Sequence, residues 1–308
     1  TSETGLGASS GYFTLDRFQT TFGSTAGRLT MSQVAVTDLP GFANALKLDC
    51  TTADTSIAAG ENFRLQTLLE GQDLQQLKKG TSSAEKFTVS FYVKGNASAT
   101  YMLELFDGDN SRHNTQQFAV TSSWNRISLT FAGDTTGAFD DDNAVSLYLN
   151  FWLHAGSTYT GGTYTANTWA SNTNANRAVG ISSFFDSTDR TLEITGLQME
   201  VGSQATPFEH RSFGEEIVLC QRYYYKEAQT RSLFIYQEGN VFHQNNHFFP
   251  TRMRTNPTCA IATTYANAGS ISSTLVANIS TQGCIVSFDA GAVNARLQYA
   301  NFTADAEL

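Results

Sequence analysis

Residues 145–154 read VSLYLNFWLH, and their alternation decides the fold class. Val145, Leu147, Leu149, Phe151 and Leu153 fall on one side of an extended chain, and Ser146, Tyr148, Asn150, Trp152 and His154 on the other. Three earlier stretches repeat the pattern. Phe87, Val89, Phe91 and Val93 oppose Thr88, Ser90, Tyr92 and Lys94. Tyr101, Leu103 and Leu105 oppose Met102, Glu104 and Phe106, and Ile127, Leu129 and Phe131 oppose Arg126, Ser128 and Thr130. Short alternating strands separated by Gly- and Asn-rich turns predict an all-β protein built on an antiparallel β-sandwich.

The side of 145–154 turned away from that sandwich core carries the first candidate site. Tyr148, Asn150, Trp152 and His154 combine flat rings with amide and imidazole hydrogen-bonding groups. Neighbouring strands could add Tyr92, Lys94, Glu104 and Arg126. Sugars present apolar C–H faces and hydroxyl edges, so this is chemistry that suits a glycan. The long polar stretch 155–180, AGSTYTGGTYTANTWASNTNANRAVG, adds Tyr159, Tyr164 and Trp169; a loop of that length is expected to be pinned or functional. Two plainer readings stand beside glycan binding: the face is covered by a second domain, or it is a subunit interface, where Tyr and Trp are also enriched. Alternation excludes burial of the strand group inside the sandwich, because Leu149, Phe151 and Leu153 already face inward.

Composition narrows the classes. The chain has 308 residues, enough for one large β domain or two domains, with 41% hydrophobic and only 15% charged residues. A surface of Ser, Thr, Asn, Gln and Gly suits a stable extracellular β protein. A net charge of −9 argues against tracking nucleic-acid phosphates or binding anionic lipid. No run is long enough for a membrane span and no secretory signal opens the chain, so the expectation is a soluble protein without membrane insertion. The start at Thr1 rather than Met reads as a fragment or trimmed product. Cys50, Cys220, Cys259 and Cys284 are scattered, which reads as four reduced thiols packed as small hydrophobes.

Grammar changes in 194–225, ITGLQMEVGSQATPFEHRSFGEEIVLCQRYYY. Leu192, Ile194, Leu197, Met199 and Val201 predict a strand whose alternation Gly196 shifts as a bulge would. Ser212 followed by Glu215 predicts a capping box, with Arg222 and Lys226 near the helix C-terminus. Ile217, Cys220 and Tyr224 form one apolar stripe, and Val218, Leu219, Tyr223 and Tyr225 make the opposite side apolar too. Such a helix is expected to be buried all round, with Ile217, Cys220, Tyr223 and Tyr224 in an oligomer interface.

The run GLQMEVGSQATPFEHRSFGEEIVLCQRYYYK resembles a linker in tail-fibre and receptor-binding proteins of tailed bacteriophages. There it joins a carbohydrate-binding-module-like jelly roll to a smaller β domain. NALKLDC, FTVSFYVKG, SWNRISLTF, FWLHAGSTY, TYTANTW, HFFPTRMRTNPT and FTADAEL extend the resemblance over nearly the whole chain. It implies an N-terminal jelly roll over residues 1–209, a connecting helix over 210–227 and a C-terminal β domain over 228–308. It makes Phe63–Leu69 a strand and Gln72–Lys78 a short helical turn, and it implies a homotrimer. Strands are expected at Leu233–Gln237, Val241–Phe249, Thr258–Thr264, Ile271–Ile279, Gly283–Phe288 and Ala295–Ala300.

Catalytic motifs are sparse. No GxSxG is present and the five histidines lack a triad pattern. Asp107 with Asp109, or Asp140, Asp141 and Asp142, could be imagined as a hydrolytic carboxylate pair, but adjacent acids on turns are more simply solvated turn residues. Asp107, Asp109, Asp140 and Asp142 are also candidate calcium ligands, although the full EF-hand spacing is missing. No other cofactor is expected. His243 and His247 invite a zinc reading, but the strand-like setting and the lack of a third ligand favour surface or interface histidines. The expectation is a virion protein, a tail or head fibre made in the host bacterial cytoplasm. It would contact other virion proteins and bind host cell-surface polysaccharide without cutting it. Its rivals are a fibre spacer or capsid decoration without glycan binding, and a polysaccharide depolymerase.

Overall fold

In a computed structural model the chain divides into two compact units, Thr1–His210 and Arg211–Leu308. The structure describes residues 2–227, 231–234, 241–267, 271–290 and 296–308; within 228–308, side chains are described for 244–261, 275–287, 299 and 301–308.

The first unit contains β1 (Ser2–Leu6), β2 (Gly11–Tyr12), β3 (Phe18–Gly23), β4 (Arg28–Ala35), β5 (Asn44–Thr52), β6 (Asn62–Glu70), β7 (Phe87–Gly95), β8 (Ala99–Asp107), β9 (Arg112–Val120), β10 (Asn125–Phe131), β11 (Val145–Ala155), α1 (Ser157–Thr160), β12 (Ala170–Ser171) and β13 (Thr191–Val201). They form two antiparallel sheets, ordered β1-β4-β5-β13-β7-β10 and β12-β9-β8-β11-β6-β3-β2. This is the expected jelly-roll sandwich. The inward side chains are those that alternation selects: Phe87, Val89, Phe91 and Val93 from β7, Tyr101, Leu103 and Leu105 from β8, and Leu147, Leu149, Phe151 and Leu153 from β11, all buried in one cluster. Phe151 sits at its centre, edge-on to Phe91 at 5.1 Å and to Phe118 at 6.0 Å. Residues 62–70 form the strand β6, and two short 3₁₀ turns, Gly71–Asp73 and Gln75–Leu77, follow it.

Gly196 makes the expected bulge. The β13–β7 register shifts between Thr195 and Gln198, and Gly196 has φ +62°, with a Cβ there falling 2.8 Å from the Phe42 ring. A left-handed conformation and that close approach both require glycine.

The second unit opens with α2 (Phe213–Gln221), followed by β14 (Tyr224–Glu227), β15 (Arg231–Phe234), β16 (Val241–Phe248), β17 (Thr258–Asn267), β18 (Ile271–Ser280), β19 (Gly283–Ala290) and β20 (Arg296–Asp305). β20 pairs with β17, β14 and β15, while β16, β19 and β18 make a second sheet. The core includes Tyr299, Phe302, Met253 and Val286. His247, expected at the surface or an interface, is buried in the single chain and stacks on Phe302 at 4.0 Å; the His243 side chain lies outside those described, as do the end of the expected strand Leu233–Gln237 and the start of Ala295–Ala300. The four cysteines are free thiols. Among the described residues no helix is long and apolar enough to cross a membrane.

The capping box is present: Ser212 Oγ accepts from the Glu215 N–H at 3.3 Å, and Glu215 Oε2 accepts from the Ser212 N–H at 3.0 Å. The helix, however, stops earlier than the stripe predicted. Tyr223 N–H bonds Cys220 O at 3.0 Å, tightening the last turn, and Tyr224 enters a strand paired with Asp305. Three consecutive tyrosines lose little by leaving a helix and gain a half-buried pleated surface. Tyr224 therefore does not continue the Ile217–Cys220 stripe, and Tyr223 is already buried in the single chain at 2% exposure. The helix itself has no buried residue.

Phe151→Ala should lower the unfolding free energy by about 3–5 kcal/mol through lost burial and a cavity. Urea denaturation followed by tryptophan fluorescence checks this.

Candidate functional site

Cross-strand pairing in the seven-stranded sheet sets the outward face in rows. Tyr148 lies between Phe106 and Leu68, Asn150 between Glu104 and Gln66, and Trp152 between Met102 and Arg64. The next strands add His113 beside Phe106 and Gln19 beside Gln66. Of the neighbours expected to join the face, only Glu104 does. Tyr92 and Lys94 on β7 and Arg126 on β10 belong to the opposite sheet.

The middle row is closed. Glu104 is fully buried and accepts four hydrogen bonds: from Asn150 Nδ2 at 2.9 Å, Trp152 Nε1 at 2.7 Å, and Arg177 Nε at 2.6 Å and a terminal Arg177 nitrogen at 2.9 Å. The Arg177 guanidinium also lies 5.1 Å from the Trp152 ring and 4.8 Å from Phe106. Desolvation alone would push the Glu104 carboxyl up, but the charge and hydrogen bonds of Arg177, the Trp152 N–H and the charge of Arg64 outweigh it. The group is held below its ordinary value.

Arg177 brings its loop with it. Tyr159 packs on Trp152 at 5.1 Å; Tyr164 Oη accepts from Gln117 N–H at 3.0 Å; Trp169 Nε1 donates to Ala132 O at 2.7 Å. Backbone bonds from Asn167 to Thr115 and from Asn172 to Ser111 stitch the rest. The three loop aromatics are thus half-buried pins between loop and sheet.

This corrects the candidate glycan set. Asn150, Trp152 and His154 are each 0% exposed, so none can stack on a sugar as the protein stands. The cover is neither a second domain nor a subunit but the chain's own loop. His154 turns to the sandwich edge, where Nδ1 meets Ser183 Oγ at 2.8 Å and the ring lies against Phe185. Tyr148 alone of the strand group keeps exposed surface. It packs edge-on against the partly buried Phe106 at 5.6 Å, with Leu68 in its own row and Gln66 and Gln19 in the next, while Arg64 and Thr21 lie two rows away beside Trp152.

The candidate acids take separate structural roles. Asp107 is buried and pairs with Lys79 Nζ at 2.5 Å; Lys79 also meets Asp134 at 3.3 Å, and Arg112 Nε holds Asp134 at 2.7 Å. Asp109 accepts from the Asp140 N–H and Asp142 from the Ala144 N–H. The cation beside Asp107 is thus a lysine ammonium, and the exposed acids cap turns. Arg177, Phe106 and Lys79 were missed by sequence reading. The available signal was charge in an odd place: Arg177 is the sole charged residue of 155–180, and Glu104 interrupts the apolar run YMLELF.

No protein-family model matches the sequence, and no curated protein matches it. Solved structures do resemble it at low similarity. A family 4 carbohydrate-binding module has 9% identity and a TM-score of 0.33, over 60% of this chain and 87% of that one. The family 11 carbohydrate-binding module of a Clostridium thermocellum cellulosomal cellulase has 14% identity and a TM-score of 0.31, over 64% and 97%. The enzymatically active domain of tailspike protein 4 from bacteriophage CBA120 has 12% identity and a TM-score of 0.31, over 60% of this chain and 19% of that one.

Arg177→Met should destabilise the first unit by about 3–5 kcal/mol, because it leaves the buried Glu104 charge without its cation. Since the folded Glu104 pKa is depressed, its contribution is complete above the ordinary carboxylate range and is lost as pH falls through the lower folded value. The wild type should therefore lose stability on acidification more steeply than Glu104→Gln combined with Arg177→Met, as thermal unfolding across pH 3–7 will show (a range of roughly four units around carboxylate titration).

Proposed function

We propose that this chain is a virion fibre protein of a tailed bacteriophage whose sandwich unit binds host cell-surface polysaccharide without cutting it. The observation that carries the glycan reading is the uncovered end of the outward sheet. There the partly buried Tyr148 and Phe106 rings lie 5.6 Å apart, with Gln19 in the adjoining row. A ring pair for sugar C–H faces beside a side-chain amide is a minimal pyranose-binding surface. The phage and virion part rests on the sequence resemblance of the 196–226 run.

A non-hydrolytic role agrees with how the acids are used. Glu104 and Asp107 are buried and held by Arg177 and Lys79, whereas glycoside hydrolysis needs two carboxylates facing the scissile bond across about 5–10 Å. A homotrimer is supported by the second unit's helix: Phe213 is 81% exposed, and Ile217, Val218 and Leu219 stand 40–50% exposed in the single chain. That is more apolar surface than a lone helix usually offers to water. The interface would then use Phe213, Ile217, Val218 and Leu219, with Cys220 beside them, rather than Tyr223. The spacer reading is favoured by one feature, the loop that closes most of the sheet.

Tyr148→Ala should weaken binding to host polysaccharide by about 1–2 kcal/mol, roughly five- to thirtyfold, with little change in melting temperature. Unchanged binding overturns the site. New reducing ends released from the polysaccharide would overturn the non-hydrolytic reading, and a monomer mass in light scattering would overturn the trimer.

A further inference from the structure

Three buried carboxylates around the seven-stranded sheet have cationic partners: Glu104 has Arg177, Asp107 has Lys79, and Asp134 has Lys79 and Arg112. Buried Glu70 accepts from Gln72 Nε2 at 2.6 Å. Asp54 and Glu61 differ from the first three. They stand at the two ends of the connection between β5 and β6, they are only 5% and 8% exposed, and among the described residues neither has a lysine or arginine as ion-pair partner. What they meet is His154, from the last turn of the pleat in β11. One ligand atom from each of Asp54, Glu61 and His154 lies within 4.8 Å of the others, and His154 Nε2 is 3.8 Å from Glu61 Oε2.

That nitrogen is the second observation. His154 is 0% exposed, and its Nε2 has no hydrogen-bond partner; 3.8 Å is too long for a hydrogen bond to Glu61. The other nitrogen is engaged, Nδ1 lying 2.8 Å from Ser183 Oγ. If Nδ1 carries the proton and donates it to Ser183, Nε2 presents a lone pair to the carboxylates. A lone pair facing anions in a water-poor pocket is unfavourable unless a cation lies between them. A metal-bound imidazole usually has its other ring N–H held by a hydrogen-bond acceptor, the place that Ser183 Oγ takes here.

The remaining contacts orient the acids rather than neutralise them. Asp54 Oδ2 accepts from Thr25 Oγ1 at 2.7 Å and from Ala26 N–H at 2.8 Å, and Glu61 Oε2 accepts from Ala58 N–H at 2.9 Å.

We propose that Asp54, Glu61 and His154 form a binding site for a divalent transition-metal ion of the zinc class, which ties the β5–β6 connection to the end of β11. Zinc bonds of about 2.0–2.2 Å place tetrahedral ligand atoms roughly 3.4 Å apart, so the pocket closes on such an ion with sub-ångström movement. One imidazole and two carboxylates suit zinc, cobalt or manganese; calcium and magnesium take oxygen donors and leave the imidazole unused. A fourth position falls to water or a second carboxylate oxygen. The role is structural, because the ion would join the two sheets at one edge of the sandwich.

The test uses the whole chain, stripped with a chelator and dialysed against Zn(II), Mn(II) or Ca(II). Expected are about one tightly retained zinc ion per chain, a melting temperature that rises with Zn(II), and affinity weakened about tenfold or more in Glu61→Gln and in Asp54→Asn. Zinc K-edge absorption on the wild type should show one imidazole with oxygen neighbours, which keeps the test sound even if a variant folds poorly. Retention of no zinc, sulfur in the coordination sphere, equal zinc binding by the two variants, or a melting gain from Ca(II) but not Zn(II) would each overturn the proposal.

Discussion

The pair Glu104–Arg177 is the contact on which the outer architecture of the sandwich depends. A carboxylate placed mid-strand on β8 cannot stay buried and charged without a cation and donors, because desolvation would cost several kcal/mol. The strand partner β11 supplies two donors, Asn150 and Trp152, and the loop after β11 supplies the cation. Once Arg177 is seated, Tyr159 is brought against Trp152 and Ala178 N–H bonds Tyr159 O. A sheet face that would otherwise be an open groove becomes a second, smaller core of Met102, Trp152, Ala155 and Ala178. The loop's length follows from this: it must leave the end of β11, cross the sheet to pair with β9, and return to β13.

Much of the fold was legible in the chain because period-2 alternation is a local signal. The large apolar inward residues of β7, β8 and β11 were readable from VSLYLNFWLH and its companions, and the Gly196 bulge and the Ser212–Glu215 cap were readable because each is written in adjacent residues. The site was less legible. Alternation says which side of a strand a residue takes, but not what lies over that side, so Trp152 and His154 were placed correctly on the outward face while the covers considered were a second domain or a subunit rather than the chain's own loop. The clue was distributed between Glu104 and Arg177, 73 positions apart, and only pairing them shows that the loop must fold down. The helix end was missed for a related reason: the apolar period ran on through Tyr224, and the strand it joins, β20, lies some eighty residues later.

Few charges are available to this chain, and the first unit spends several of them inside. Lys79, Arg112 and Arg177 each answer buried acids around the seven-stranded sheet. Asp54 and Glu61 stand apart from these, since among the described residues no lysine or arginine pairs with either.

The central claim is that the sandwich recognises glycan at the end of the sheet that the loop leaves open, over Tyr148 and Phe106. A structure of the protein with a bound oligosaccharide from host polysaccharide tests it most directly. The account predicts a sugar ring lying across Tyr148 and Phe106, with Arg177 still on Glu104 and the 155–180 loop in place. A sugar seated on Trp152 with the loop displaced, or in the separate pocket lined by Leu15, Phe18, Gln33 and Leu197, would contradict it.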